Sequence, residues 1–209
     1  LYAGSSVSGI WRATTSDPAA AVAVNTGLRG ANTTKVLITG NGVLLAGTAT
    51  AATFRIDPDH TFPSLEFSHM GISVWRGRFN RTTGSFEYDA AARRGTVSVT
   101  VDTNSIDFGL DSMREYAIKP DWLDVVKHPV MTYTGNLVFQ GDKPAAVDGQ
   151  LTLRGVTRPL RLTINSFSCI EHPFYKKEVC GADAAGELNR ADFGMTQFCW
   201  EVENYERMV

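Results

Sequence analysis

The segment "GQLTLRGVTRPLRLTI", residues 149–164, constrains the fold more than any other stretch of the chain. Leu151 and Leu153 alternate with Gln150, Thr152 and Arg154. Leu160, Leu162 and Ile164 alternate with Arg161 and Thr163. A period of two places the aliphatic residues on one face of a strand pair and the polar residues on the other. Gly155 sits at the reversal, where a positive φ costs least. Pro159 has no N–H to donate, so it belongs at the start of its strand or on an unpaired edge. A hairpin with one apolar face must cover something, either a side-chain core or a ligand.

The same grammar runs through the chain from Thr53 onward. "FRIDPDHTFPSLEFSHM" has a turn at Asp57-Pro58-Asp59, then Leu65, Phe67 and His69 on one face. "WRGRFNRTTGSFEYD" places Phe79 on one strand and Phe86 and Tyr88 on the next. In "TVSVTVDTNSI", Val97, Val99 and Val101 alternate with Ser98, Thr100 and Asp102. "VMTYTGNLVF" sets Met131, Tyr133, Leu137 and Phe139 on odd positions. A strand through Leu188 to Phe193 and a last one over Phe198, Trp200 and Val202 complete the pattern, before a polar tail. Short strands with closely spaced turn signals predict an all-β barrel or sandwich.

One segment departs from this period. In "DSMREYAIKPDWLDVVKHP", Met113, Ala117 and Ile118 have near-helical spacing, and Asp111 or Ser112 is placed to cap the N-terminus. Pro120 limits the helix, and Trp122-Leu123 begins a second turn. The expectation is one or two short helices near residues 111–125, lying across an end of the barrel.

Composition removes several classes of function. The 209 residues are 43% hydrophobic and 20% charged, which suits a folded globular chain. A net charge of −2 lacks the basic footprint of a nucleic-acid binder. No apolar run is long enough for a stable membrane span. Residues 1–52 have a different texture, rich in Ala, Gly, Thr, Val and Ser, with Asp17 as their sole acidic residue. Within them Lys35, an apolar region interrupted at Gly40-Asn41-Gly42, and the A-x-A spacing of Ala49 and Ala51 follow the order of a secretion signal over about 35–51. A flexible or strand-like N-terminal extension is the alternative. The expected organisation is an extension over 1–52 and a β-domain over 53–209.

The residues that could carry chemistry are scattered. His60, His69, His128 and His172 form no metal-binding spacing, and no nucleophile elbow, phosphate loop or dinucleotide fingerprint is present. Catalytic and metal-ligating residues are therefore assigned to none. Cys169 and Cys180, in "SCIEHPFYKKEVCG", are eleven residues apart. That spacing suits a disulfide across a loop or hairpin end, worth about 3 kcal/mol in the chain-entropy model. With a secretion signal upstream the bond is expected, and two reduced thiols are the alternative. Cys199 alternates with Phe198 and Trp200 and reads as a small packed residue.

Taken together, these motifs resemble the YceI-like family of lipocalin-like, polyisoprenoid-binding proteins. "FRIDPDHTFPSLEFSHMGISVWRGRFNRTTGSFEYD" is similar to the family's opening. "SIDFG" and "PDWLDVVKHPVMTYTG" resemble its middle signature, and "GQLTLRGVTRPLRLTI" its most recognisable hairpin. "CIEHPFYKKEVCGADA" and "NRADFGM" resemble a branch with a cysteine-bounded loop. The resemblance covers about Thr53 to Met195. Two positions depart from the pattern: His128 stands where the family usually has Tyr, and Arg114 where an acidic residue is common.

The resemblance implies an eight-stranded antiparallel lipocalin-like barrel, export to the periplasm, and an apolar cavity for a quinone or polyprenyl lipid. No cofactor beyond that ligand is expected. A small barrel can be filled by side chains or can hold one small ligand, and strand sequence alone leaves both open. On the resemblance, the cavity lining is expected to be Phe67, His69, Phe79, Phe86, Val97, Val99, Trp122, Leu123, Tyr133, Leu151, Leu162 and Phe193. Transient membrane contact and a homodimer are compatible with such a carrier. The competing readings are an enzyme acting on an apolar substrate and a ligand-free structural barrel.

Overall fold

The computed structural model describes residues 51–197 in full. Outside them it describes the backbone of five short strands before this region and of one after it, Tyr205–Met208. The early strands are β1 (Gly4–Ser5), β2 (Gly9–Thr14), β3 (Asp17–Ala23), β4 (Thr33–Ile38) and β5 (Leu44–Thr48). The first three form one antiparallel sheet, and β4 pairs with β5. The expected secretion signal overlaps β4 and β5, and its residues 39–43 and 49–50 lie outside the described residues, as does Cys199.

The main domain continues with β6 (Ala52–Arg55), β7 (Ser64–His69), β8 (Ser73–Phe79), β9 (Thr82–Asp89), β10 (Arg94–Asp102) and β11 (Ile106–Asp107). After helix α1 (Asp111–Ala117) come β12 (Val130–Gln140), β13 (Lys143–Leu153), β14 (Val156–Glu171), β15 (Glu178–Asn189) and β16 (Tyr205–Met208). Seven strands in the order β6-β9-β10-β12-β13-β14-β15 make a curled antiparallel half-barrel. A smaller sheet, β11-β8-β7, is joined to it through β16, which pairs with β15 on one side and β7 on the other.

This differs from the expected closed eight-stranded barrel in an informative way. β8 and β9 follow one another in sequence but do not pair, so the ladder stays open between β6 and β11. The backbone at this corner is committed elsewhere. Phe79 N–H donates to the Pro63 carbonyl, Asn80 N–H to that of Ser105, and Asp102 N–H to that of Arg81. The joining strand also differs from expectation. Phe198–Val202 lies outside the described residues, and the connection is made by the polar tail at Tyr205–Met208. Backbone pairing carries a joining strand, so it need not show an apolar alternation.

Three local expectations are refined in the same way. The strand through Leu188 stops at Asn189, whose side chain accepts from Ala191 N–H at 2.9 Å. A 3-10 turn over Arg190–Phe193 follows and ends at Gly194, φ 77°. Neither Asp111 nor Ser112 caps α1: the N-cap is Leu110, with no side-chain cap. Ile118 ends the helix, and Trp122-Leu123 lies in hydrogen-bonded turns rather than in a second helix. Arg114 ties α1 to the barrel by donating to the carbonyl and the side-chain oxygen of Asn104.

The hairpin over residues 149–164 is the turn end of β13–β14. Its turn places both Arg154, φ 52°, and Gly155, φ 74°, in the left-handed region, which matches the twist of the flanking strands. Leu151, Leu153 and Leu160 are buried, and Leu162 and Ile164 pack against the same core. Pro159 lies inside β14 opposite Gln150, in a stretch that β15 has not yet joined; that ladder begins at Thr163. Cys169 and Cys180 face one another across β14 and β15, with Cα atoms 4.0 Å apart, and are joined as a disulfide.

Tyr133 is the keystone of the interior. Its phenol donates to the carbonyls of Leu160 at 3.0 Å and Val147 at 3.3 Å, so one side chain on β12 is tied to both β13 and β14. Its ring crosses Gly149 so closely that a Cβ there would lie 2.3 Å from the ring. Met131, Val101, Leu151 and Leu160 belong to the same buried cluster.

Candidate ligand slot

At the end of the half-barrel that α1 covers, the side chains leave an apolar slot of about 70 Å³. Its walls come from nearly every part of the domain. Leu65 and Phe67 on β7, Phe79 on β8 and Ile106 on β11 form one side. Met131, Leu153 and Leu188 on β12, β13 and β15 form the other. Met113, Tyr116 and Ala117 of α1, with Trp122 and Leu123, form the roof, and Phe108 and Met195 complete the lining. No lining side chain carries a charge, so the slot excludes ions and suits hydrocarbon.

The local backbone explains how these groups converge. Strand alternation turns Leu65 and Phe67 inward together, as it does Leu151 and Leu153. Gly77 has no side chain, which lets the Phe108 ring lie flat on β8; a Cβ would meet that ring at 2.5 Å. Trp122 is held from three directions. Arg154 donates to its carbonyl, the Arg190 guanidinium lies 4.9 Å from its ring centroid, and Tyr116 meets it edge-on at 6.0 Å. Arg190 is the sole charged side chain among the buried described residues. A cation stacked on an indole is a low-cost way to keep charge near an apolar site.

The structure distributes the sequence-predicted lining residues over four places. Phe67, Phe79, Trp122 and Leu123 meet in the slot. Tyr133, Leu151 and Phe193 lie in the buried core, and Val97, Val99 and Leu162 pack against it without reaching the slot. Phe86 belongs to a separate group of rings with Phe54, Tyr88, Phe139 and Phe167, with neighbouring centroids 5.1 to 6.2 Å apart. His69 is exposed at the end of β7, tilted against Trp75, so it is no part of the interior. The strand ends there, at the turn through Met70 and Gly71.

Ten slot residues were outside the predicted set, among them Leu65, Ile106, Phe108, Met113, Met131 and Met195. Leu65, Met113 and Met131 already stood at inward positions of their elements. Ile106 and Phe108 follow a turn and have no periodic signal. His128, the family departure, acts in a turn: its carbonyl accepts from Thr103 Oγ1 at 2.7 Å. Burial, together with the nearby Asp148 charge, pushes the Tyr133 phenol up to about 12. That group is an inert structural donor at neutral pH. Among the described residues no cluster of His, Cys, Asp and Glu could hold a metal ion.

Comparison with known proteins places this architecture. Residues 54–207 match the YceI-like domain model. A UPF0312 protein of Pseudomonas aeruginosa (strain LESB58) is 32% identical over 168 residues, spanning 78% of this chain and 86% of that protein. Among solved structures, Burkholderia cenocepacia BcnA superposes with a TM-score of 0.58 at 19% identity, covering 73% of this chain and 95% of that one. A polyisoprenoid binding domain from Saccharophagus degradans, implicated in plant cell wall breakdown, superposes with a TM-score of 0.52 at 14% identity, covering 76% and 95%. With its family model spanning most of the sequence and its half-barrel roofed by one short helix, the chain belongs to the YceI-like domain family.

Proposed function

We propose that this protein binds an isoprenoid lipid, a quinone or polyprenyl chain, and carries or stores it in the periplasm without chemically altering it. The observation that carries this reading is the slot itself, lined by aliphatic, thioether and aromatic side chains without a charge. Each buried CH₂ contributes about 0.8 kcal/mol, so a branched hydrocarbon tail binds well without a polar anchor. The polyisoprenoid-binding name of a structural neighbour supports the ligand class. The Ala49-x-Ala51 pattern supports export.

The slot is small. At about 70 Å³ it is well below the roughly 300–1,000 Å³ of sites for drug-sized ligands. A long tail therefore enters only as the roof of α1 and Trp122 moves outward. Met113, Met131 and Met195 line the slot, and their adaptable thioethers can repack around a larger occupant.

The test is lipid extraction and mass spectrometry of protein purified from a Gram-negative host, with N-terminal sequencing of the same material. An isoprenoid in the extract and a new N-terminus just after Ala51 or Ala52 are expected. An extract with no isoprenoid, from protein that also fails to quench Trp122 fluorescence with added polyprenol, overturns the ligand. An N-terminus upstream of Lys35 or cytoplasmic retention overturns the export.

A further inference from the structure

Beyond residue 163, β14 and β15 leave the rest of the sheet. The β13 ladder ends at Ala146–Thr163, and β16 reaches only Gly186–Asn189. Among the described residues, the two strands have only each other as ladder partners from Ile164 to Ala184. The eight residues from Ile164 to Glu171 carry the arm roughly 26 Å beyond its last pair with β13, Ala146–Thr163. An isolated two-stranded hairpin is marginally stable in water. This one has two supports. Phe167 seats its root against Phe86 and Tyr88, and the Cys169–Cys180 disulfide clamps it halfway out.

The tip beyond the clamp is held by its own hydrogen bonds and exposes two aromatic rings. His172 N–H donates to the Lys177 carbonyl, and Lys176 N–H to that of His172. The His172 ring nitrogen Nδ1 accepts from the N–H groups of both Phe174 and Tyr175, and Tyr175 packs on the His172 ring at 4.6 Å. This network presents Phe174 at 85% and Tyr175 at 75% exposure, with Ile170 also exposed along the arm. Water solvates rings at such exposure poorly. Lys176 and Lys177 follow directly in the turn, while Glu171 and Glu178 face one another at its base, one step back from the tip. The Lys176–Glu171 ion pair is open at 3.8 Å with both partners about 70% exposed, so an incoming phosphate displaces the carboxylate at little cost.

We infer that the stapled hairpin tip, Phe174, Tyr175, Lys176 and Lys177, docks on the surface of an anionic phospholipid bilayer. The phenol of Tyr175 favours the depth of lipid headgroups, the Phe174 ring gains by burial at the acyl boundary, and adjacent lysines favour lipid phosphate. The inference rests on the reading that the slot handles an isoprenoid, a ligand whose reservoir is a membrane. The tip lies at the far end of β14 from the Arg154-Gly155 turn, which touches Trp122 at the slot roof. Docking by the arm therefore leaves α1 uncovered and free to open.

The test is cosedimentation of the full-length protein with vesicles of phosphatidylethanolamine and phosphatidylglycerol, free of isoprenoid, against vesicles of phosphatidylcholine. The wild type should favour the anionic vesicles. Replacing Lys176 and Lys177 with Gln should lower partitioning roughly 30-fold, at about 1 kcal/mol per lysine. Phe174→Ala with Tyr175→Ala should abolish it with an unchanged melting temperature, since the tip is outside the core. Phe174→Trp should bind, and brominated lipid should quench the new indole beyond the quenching of the wild type. Wild-type protein that stays in the supernatant, or tip variants that bind as the wild type does, overturn the inference. So do tip variants that alter oligomeric state and leave vesicle binding unchanged, because the tip is then an interface between copies. Vesicle binding without any isoprenoid in the extract sinks the carrier reading and leaves docking standing. An isoprenoid extract without vesicle binding does the reverse.

Discussion

Leu153→Trp is expected to empty the protein of isoprenoid, while Leu151→Trp damages the fold. The two leucines are two residues apart on the same strand and the same face, and both are almost fully buried. They differ in what lies in front of them. Leu153 borders the slot, so an indole there takes space that no side chain occupies. Leu151, 1% exposed, packs in the filled core with Tyr133 and Leu160. Extra volume at Leu151 forces neighbours off their rotamers at about 1–3 kcal/mol. For a domain of this size, that is a fall in melting temperature of roughly 3–10 °C. Leu153→Trp should leave the melting temperature of delipidated protein within a few degrees and remove isoprenoid from the extract. Equal thermal losses in both variants, with lipid retained by Leu153→Trp, would show that the slot is not the binding site. Val99 packs on the core and not on the slot. Filling it with Trp should therefore behave as Leu151→Trp does.

Tyr133→Ala should be the most destabilising single truncation in the interior, at about 3–5 kcal/mol. It removes a buried ring and leaves the Leu160 and Val147 carbonyls without the phenol that bridges β12 to β13 and β14. Tyr133→Phe keeps the ring and should cost about 1–2 kcal/mol at neutral pH. The two tyrosine forms also give a pH signature. In the unfolded chain the phenol ionises near 10; in the fold it is pushed up to about 12. Between these values the unfolded state binds fewer protons than the native state, so stability falls as pH rises. The contribution is fully present below pH 10 and is lost on the way to pH 12. Denaturant titrations across that window should show a steeper decline for the wild type than for Tyr133→Phe. Parallel declines would mean that the phenol is not the titrating group.

The class of fold and its core face were determined by sequence alone, because strand period is a local property. Val97, Val99 and Val101, or Leu151 and Leu153, turn inward wherever the strand is placed. The Cys169–Cys180 pairing was legible for the same reason: a short hairpin brings residues at that spacing opposite one another. The turn at Gly155 and the limit that Pro120 sets on α1 are local chemistry as well. The tertiary structure decided what lies between the inward residues. A slot is the difference between the volume that the backbone encloses and the volume that side chains fill, summed over residues remote in sequence. Alternation therefore marked Tyr133 and Phe79 alike, although one bridges strands in the filled core and the other lines the slot. It also marked His69, which the end of β7 leaves in water. The joining role of Tyr205–Met208 was invisible for a complementary reason. Its connection is made by backbone hydrogen bonds, which every residue except proline can donate, so composition carries no trace of it.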